Sequence, residues 1–177
     1  MNILDTVLFS RVSRLDTMVS NFYIWDTLGC FEEFLGVFSA DGIDKNIFKS
    51  KLQGFEFVIL NTEEIHSKRQ GHWISLSRYF KENQVILELF DSFGYPVRAL
   101  HKNIQDVIKN TQFHTFLTNN RVIQHPESNY CGFFTIARFV SLKTNVSIED
   151  FLSGFSAETA QNDTKVIKYI RSIYSKK

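Results

Sequence analysis

The sequence predicts a single α+β domain, and three observations carry that prediction. Segments with strand-like patterning follow one another between Phe55 and Asp91. "CGFFTIARFVSL" (131–142) is apolar all round, as a buried helix is, and "NDTKVIKYIRSIYSKK" (162–177) separates apolar from basic residues at helical spacing. A chain of 177 residues is long enough for one well-buried core and short for two, so the domain is expected to span residues 1–177.

In chain order, Ile3, Leu4, Val7, Leu8, Val12, Leu15 and Val19 recur at spacings of three and four and predict helical turns packed on the body. Asp5, Arg11, Arg14 and Asp16 interrupt that stretch, which reads neither as a signal peptide nor as a membrane span. "WDTLGCFEEFLGVFSADGI" carries Gly29, Gly36 and Gly42 and predicts turns and short elements, a structured entry loop. "FEFVILNT", "HWISLSRYF" and "QVILELFDSFG" then read as three strands, the last two joined by a connection of hairpin length, with Asp91 where the third strand ends.

Leu100, Ile104, Val107 and Ile108 predict a helix, and "RVIQHP" (121–126) a short strand stopped by Pro126. After the buried helix, the closing helix sets Val166, Ile167, Ile170, Ile173 and Tyr174 against Lys165, Lys168 and Arg171, with Asn162 or Asp163 as its cap.

Composition narrows the function. A net charge of +1 supplies no strong field to draw in DNA or an anionic membrane, so neither partner is favoured. Two cysteines, Cys30 and Cys131, are too few for a disulfide scaffold and lack zinc spacing, so no metal or cofactor is expected and a reducing, intracellular compartment is. Eighteen phenylalanines predict an aromatic core and an aromatic-lined groove.

Cys131 falls in the first turn of the predicted buried helix, where unpaired backbone N–H groups and the helix dipole favour a negative charge and hence a nucleophilic thiolate. Gly132 leaves space beside the sulfur for a substrate carbonyl. Taken alone, the position favours a small buried hydrophobe, since free cysteine is among the most buried residue types. Of five histidines, only His72 opens a predicted strand directly after a glycine, where a ring can be fixed and still reach a cleft that Trp73 would wall. Asp91 is the acid best placed to orient that ring, and Gln124, seven residues before Cys131, the amide best placed to donate to a developing oxyanion. Cys30 is assigned to packing.

These residues resemble a known family. "GHW", "LFDSFG" and "QHPESNYCGFF" are similar to the adenovirus endopeptidase family of cysteine proteases and, more distantly, to the proteases that cleave SUMO and related modifiers. The chain order of histidine, acid, glutamine and cysteine fits as well, as does the Q-x-P-x-S-x-x-C-G pattern. The upstream "LGCFEEFLGVF" is similar to the family's N-terminal segment, so the resemblance runs from about Leu28 to Leu142. It implies a papain-like fold: a mixed, mostly antiparallel sheet packed on a central helix whose N-terminus holds the nucleophile.

The resemblance also implies roles: His72 as base, Asp91 as orienting acid, Gln124 as oxyanion donor and Cys131 as nucleophile. It implies cleavage of protein or peptide substrates after small residues, typically glycine, in the maturation of structural precursors of a DNA virus or virus-like element. The location would be the host nucleus or cytoplasm, or the virion. The family's viral members generally have glutamate where Asp91 stands, and "NTQFHTFLTNNRV" lacks the cysteine through which the adenoviral activating peptide is attached. A non-covalent activating peptide or a built-in mechanism is expected instead. Three alternatives stay open: a protease for ubiquitin-like modifiers, an acyltransferase using the same Cys–His machinery, and a non-catalytic binding module that keeps the fold.

Overall fold

The computed structural model describes residues 20–48, 52 and 54–174; the helical turns expected between Ile3 and Val19 lie outside them. The entry loop resolves into helix α1 (Asn21–Leu28), ended at Gly29, and strand β1 (Phe34–Phe38). Gly36, at φ +134°, breaks the register of β1 on its neighbour, which is why "FLGVF" shows no alternation. Strands β2 (Phe55–Asn61), β3 (Trp73–Lys81) and β4 (Gln84–Phe90) match the three expected from the sequence. Glu82 and Asn83, both at positive φ, close the β3–β4 hairpin in two residues.

One sheet results, in the order β1-β2-β3-β4-β5, with β5 at Thr115–Thr118. The β2–β3 and β3–β4 pairings are antiparallel, whereas β1–β2 and β4–β5 are parallel. The sheet is therefore mixed in equal parts and not mostly antiparallel. Each parallel pair needs a crossover, and helix α2 (Lys102–Asn110) lies in the one between β4 and β5. Residues 121–126 form no strand: the N–H groups of Ile123 and Gln124 bond to the Ser92 carbonyl instead of a ladder.

Both faces of the sheet are buried. Val58, Leu60, Ile74, Leu76, Leu87 and Leu89 pack on Leu100, Ile104, Val107 and Ile108 of the α2 region. Phe57, Ile59, Trp73 and Phe90 face the central helix α3 (Cys131–Lys143), buried along nearly its whole length. Ser75 and Ser77, also buried, keep the side chains of β3 short where α3 approaches. Phe139 sits among the rings of Phe31, Phe34, Phe55 and Phe57 at centroid separations of 5.2–6.3 Å, so the many phenylalanines do fill the core. Burial of each such side chain is worth about 1.5–3 kcal/mol.

The α3–sheet contact also holds a fully buried ion pair. Arg138 donates to both carboxylate oxygens of Glu88, at 2.7 and 2.8 Å, and to the Val146 carbonyl at 2.9 Å, while Tyr79 donates to Glu88 at 2.8 Å.

A short helix, α4 (Ile148–Ser153), capped by Ser147, follows α3, and it had no counterpart in the sequence expectations. The closing helix α5 (Thr159–Tyr174) buries Val166 and Ile170 and exposes Lys165, Lys168 and Arg171. It begins before Asn162 and Asp163, which are not caps; both are buried and turned onto the 123–125 segment. Cys30 is exposed and so does not serve packing. Among the described residues no helix is long and apolar enough to cross a membrane.

Candidate active site

The first side chain of the site stands at the start of β3. His72 precedes Trp73, and its backbone is pinned to the end of β2: its N–H donates to Thr62 Oγ1 at 3.0 Å and its carbonyl accepts from the Thr62 N–H at 2.9 Å. A Cβ at Gly71 would fall where the Asn61 side-chain amide now lies, so a side chain there would displace that amide.

At the end of β4, Asp91 is fully buried. The Asn119 side chain clamps its backbone on both sides, accepting from the Asp91 N–H at 2.9 Å and donating to its carbonyl at 2.5 Å. The carboxylate accepts from the N–H groups of Phe93 and Tyr95, at 2.7 and 3.3 Å, and its Oδ1 lies 2.6 Å from His72 Nε2. Since β3 pairs Ser75 with Phe90, the hairpin register carries both groups to the same edge.

Cys131 is the first residue of α3, as expected, and is 8% exposed. The N-cap residue Tyr130 offers no side-chain cap; its carbonyl accepts the N–H groups of Phe133 and Phe134 at 2.9 and 3.2 Å, which leaves those of Cys131 and Gly132 for a ligand's oxygen. The Trp73 N–H points at Cys131 Sγ from 3.5 Å. His72 Nδ1, the ring nitrogen not facing Asp91, is buried without a hydrogen bond of normal geometry among the described residues, so Cys131 acts on the ring as a close neighbour. Burial opposes a charged imidazole, but the bond to Asp91, the adjacent sulfur and their charges outweigh it and raise the His72 pKa to about 9.

Gln124 has no exposed surface. Its Oε1 accepts from Ser92 Oγ at 2.6 Å and its Nε2 donates to the Ser128 carbonyl at 2.8 Å, three residues before Cys131. Asn162 and Asp163 of α5 hold the flanking backbone, through the Ile123 carbonyl at 2.9 Å and the His125 N–H at 3.3 Å. His72, Asp91 and Cys131 are thus assembled at one place, with Gln124 tied to the loop that enters α3. Gly132 is buried in the first turn beside the sulfur. Trp73 is largely buried and helps to line an open cleft of about 530 Å³, together with Val37, Phe38, Ile65 and Gly71.

Four residues escaped the sequence reading. The Phe93 ring lies 4.5 Å from the imidazole at a 31° tilt, and Tyr95 meets it edge-on at 6.3 Å. Ser92 and Asn119 hold Gln124 and Asp91. Ser92 and Phe93 lie within "LFDSFG" and Tyr95 directly follows it, where the signal was present but absorbed by Asp91 alone; nothing in the sequence tied Asn119 to that strand end. Among the described residues, no group of histidine, cysteine and acidic side chains forms a metal site.

No protein-family model and no curated protein matches the chain. Among solved structures, the chain is similar to the protease of African swine fever virus (ASFV), with a TM-score of 0.56 and 20% identity over 85% of this chain and 66% of that one. A selenomethionine form of the same protease gives 0.54 and 18% over the same shares. The chain thus spans just under two thirds of the viral protease. ChlaDub1 from Chlamydia trachomatis, at a TM-score of 0.46 and 14% identity over 67% of this chain and 58% of that one, is too distant to bear on the argument.

At these identities the likeness establishes a shared fold: a mixed α/β domain of the kind found in a viral protease. It does not single out the adenovirus endopeptidases.

Proposed function

We propose that the chain is a cysteine endopeptidase that cleaves after small residues, typically glycine. The observation that carries this reading is the His72 Nε2 to Asp91 Oδ1 contact of 2.6 Å, on a ring whose other nitrogen is buried beside Cys131 at the start of a helix. An acid that fixes one ring nitrogen leaves the other for the thiol, and the proton moves from sulfur to Nδ1.

In the proposed reaction the thiolate adds to the scissile carbonyl, and the oxyanion is held by the Cys131 N–H and by Gln124. Collapse expels the amine, which takes the proton from His72, and leaves a thioester. His72 then removes a proton from water as the water attacks, and the thiolate returns. The limited exposure of Cys131 and Trp73 supports a narrow approach that glycine fits. Gln124 is fully buried, so its neighbours must give way as substrate enters.

The motif resemblance, together with the viral protease fold, supports maturation of structural precursor proteins of a DNA virus or virus-like element as the biological role. The test is hydrolysis of a panel of fluorogenic peptides ending in Gly-Gly, Ala-Ala or Leu-Leu. Cleavage lost in Cys131→Ala and fastest after glycine is expected; cleavage that survives Cys131→Ala, or that prefers leucine, would overturn the reading. Efficient cutting of a ubiquitin-like fusion with no cutting of short peptides would move the substrate to modifier proteins.

A further inference from the structure

The orientation of the Gln124 amide follows from its partners. A peptide carbonyl only accepts, so the end of the amide facing the Ser128 carbonyl at 2.8 Å is the NH2 group. The opposite end is then the carbonyl oxygen, and the Ser92 hydroxyl donates to it at 2.6 Å. One N–H of Nε2 is used by Ser128, and among the described residues Nε2 donates to no other group. Ser92 reaches the same residue a second way, since its carbonyl accepts the N–H groups of Ile123 and Gln124 at 2.9 and 3.2 Å. Ser92 is itself fully buried and directly follows Asp91, whose backbone Asn119 holds.

We propose that Ser92 is a positioning residue, whose hydroxyl locks the Gln124 amide with its remaining N–H turned to the carbonyl oxygen of the substrate at Cys131. This rests on the protease reading above. Ser92 touches neither substrate nor sulfur; it acts through Gln124, and it joins the residue after the acid to the oxyanion donor. Without the hydroxyl, the buried amide oxygen has no donor and the amide turns to find one.

The test compares wild type, Ser92→Ala and Ser92→Thr in three measurements. A peptide aldehyde ending in glycine forms a tetrahedral adduct whose oxygen needs the Gln124 N–H. Iodoacetamide alkylates the same sulfur by displacement of iodide, without an oxyanion, and the NMR titration of His72 reports the Asp91 side.

In Ser92→Ala the aldehyde is expected to bind about tenfold to a hundredfold more weakly, with alkylation and the His72 titration unchanged, and Ser92→Thr is expected to recover most of the loss. Should Ser92→Ala fail to fold, the isosteric pair Ser92→Thr and Ser92→Val isolates the hydroxyl at constant shape. Equal losses of aldehyde binding and alkylation, or no loss of aldehyde binding, would overturn the proposal. If wild type forms no aldehyde adduct at Cys131, the protease reading fails and the Ser92 proposal with it. If wild type forms the adduct and the hydroxyl makes no difference, only the role of Ser92 fails.

Discussion

Asp91 meets His72 at 2.6 Å through the ring's Nε2, and Nδ1 is left buried on the side of Cys131. The buried carboxylate keeps the imidazole charged against the cost of desolvation, so the ring's pKa rises from an ordinary 6.5 to about 9. Because the folded value exceeds the unfolded one, the stability gained from the charged ring is fully present below pH 6.5 and is lost as pH rises through about 9. The His72 C2–H resonance is expected to titrate near 9 in wild type and substantially lower in Asp91→Asn. Wild type should also lose its stability advantage over that variant between those two pH values, as read from urea unfolding. A wild-type midpoint at the ordinary value would show that Asp91 does not govern the ring.

On the approach to His72, a side chain at position 71 would have to displace Asn61. A Cβ on Gly71 would collide with the Asn61 amide, which also accepts the Glu63 N–H at 2.9 Å. Gly71→Ala is expected to lower stability and peptide hydrolysis together. Adding Asn61→Ala should return part of both, with a coupling of about 0.5–3 kcal/mol in a double-mutant cycle. Strict additivity would mean that the two residues do not compete for that space.

Arg138 and Glu88, both without exposed surface, connect α3 to β4 and so hold Cys131's helix against the strand that leads to Asp91. Removing one partner strands a buried charge. Glu88→Gln is expected to cost about 3–5 kcal/mol in urea unfolding. A loss under about 1 kcal/mol, the range of exposed pairs, would indicate that water reaches the pair.

Asn119 restrains Asp91 from behind. Asn119→Leu keeps approximate volume but leaves the buried Asp91 N–H unpaired, at about 1–3 kcal/mol, while the Asp91 carbonyl keeps the Gly94 N–H at 2.9 Å. Unfolding should show a loss of that order, and hydrolysis should fall by more than the folded fraction does. Loss of stability alone, with activity per folded molecule intact, would limit Asn119 to a structural role.

What the sequence revealed follows from how each element encodes itself. Strands β2, β3 and β4 were legible because β-branched and aromatic residues run through segments bounded by turn residues, and α3 because it is apolar on every side. The strand expected at 121–126 was wrong because an apolar pair before a proline does not reveal where its N–H groups go, and here Ser92 takes them. Strand β5 was missed since "TFLT" is an edge strand of four residues, too short for its period to stand out after the helical stretch before it. Asn162 and Asp163 looked like caps by residue type, yet the helix begins earlier and turns them inward to serve the Gln124 segment. His72, Asp91 and Cys131 come from three separate elements, so their meeting depended on the hairpin register and the α3 packing, which motif spacing suggested and geometry supplied.

The most direct test of the central claim is intact-mass analysis of native protein treated near neutral pH with a peptide vinyl sulfone ending in Gly-Gly. Wild type, Cys131→Ala and His72→Ala are compared. A single adduct on wild type, absent from Cys131→Ala and strongly reduced in His72→Ala, is the predicted result. An adduct that persists in Cys131→Ala, or one formed equally fast without His72, would contradict a Cys131 nucleophile activated by His72 and Asp91.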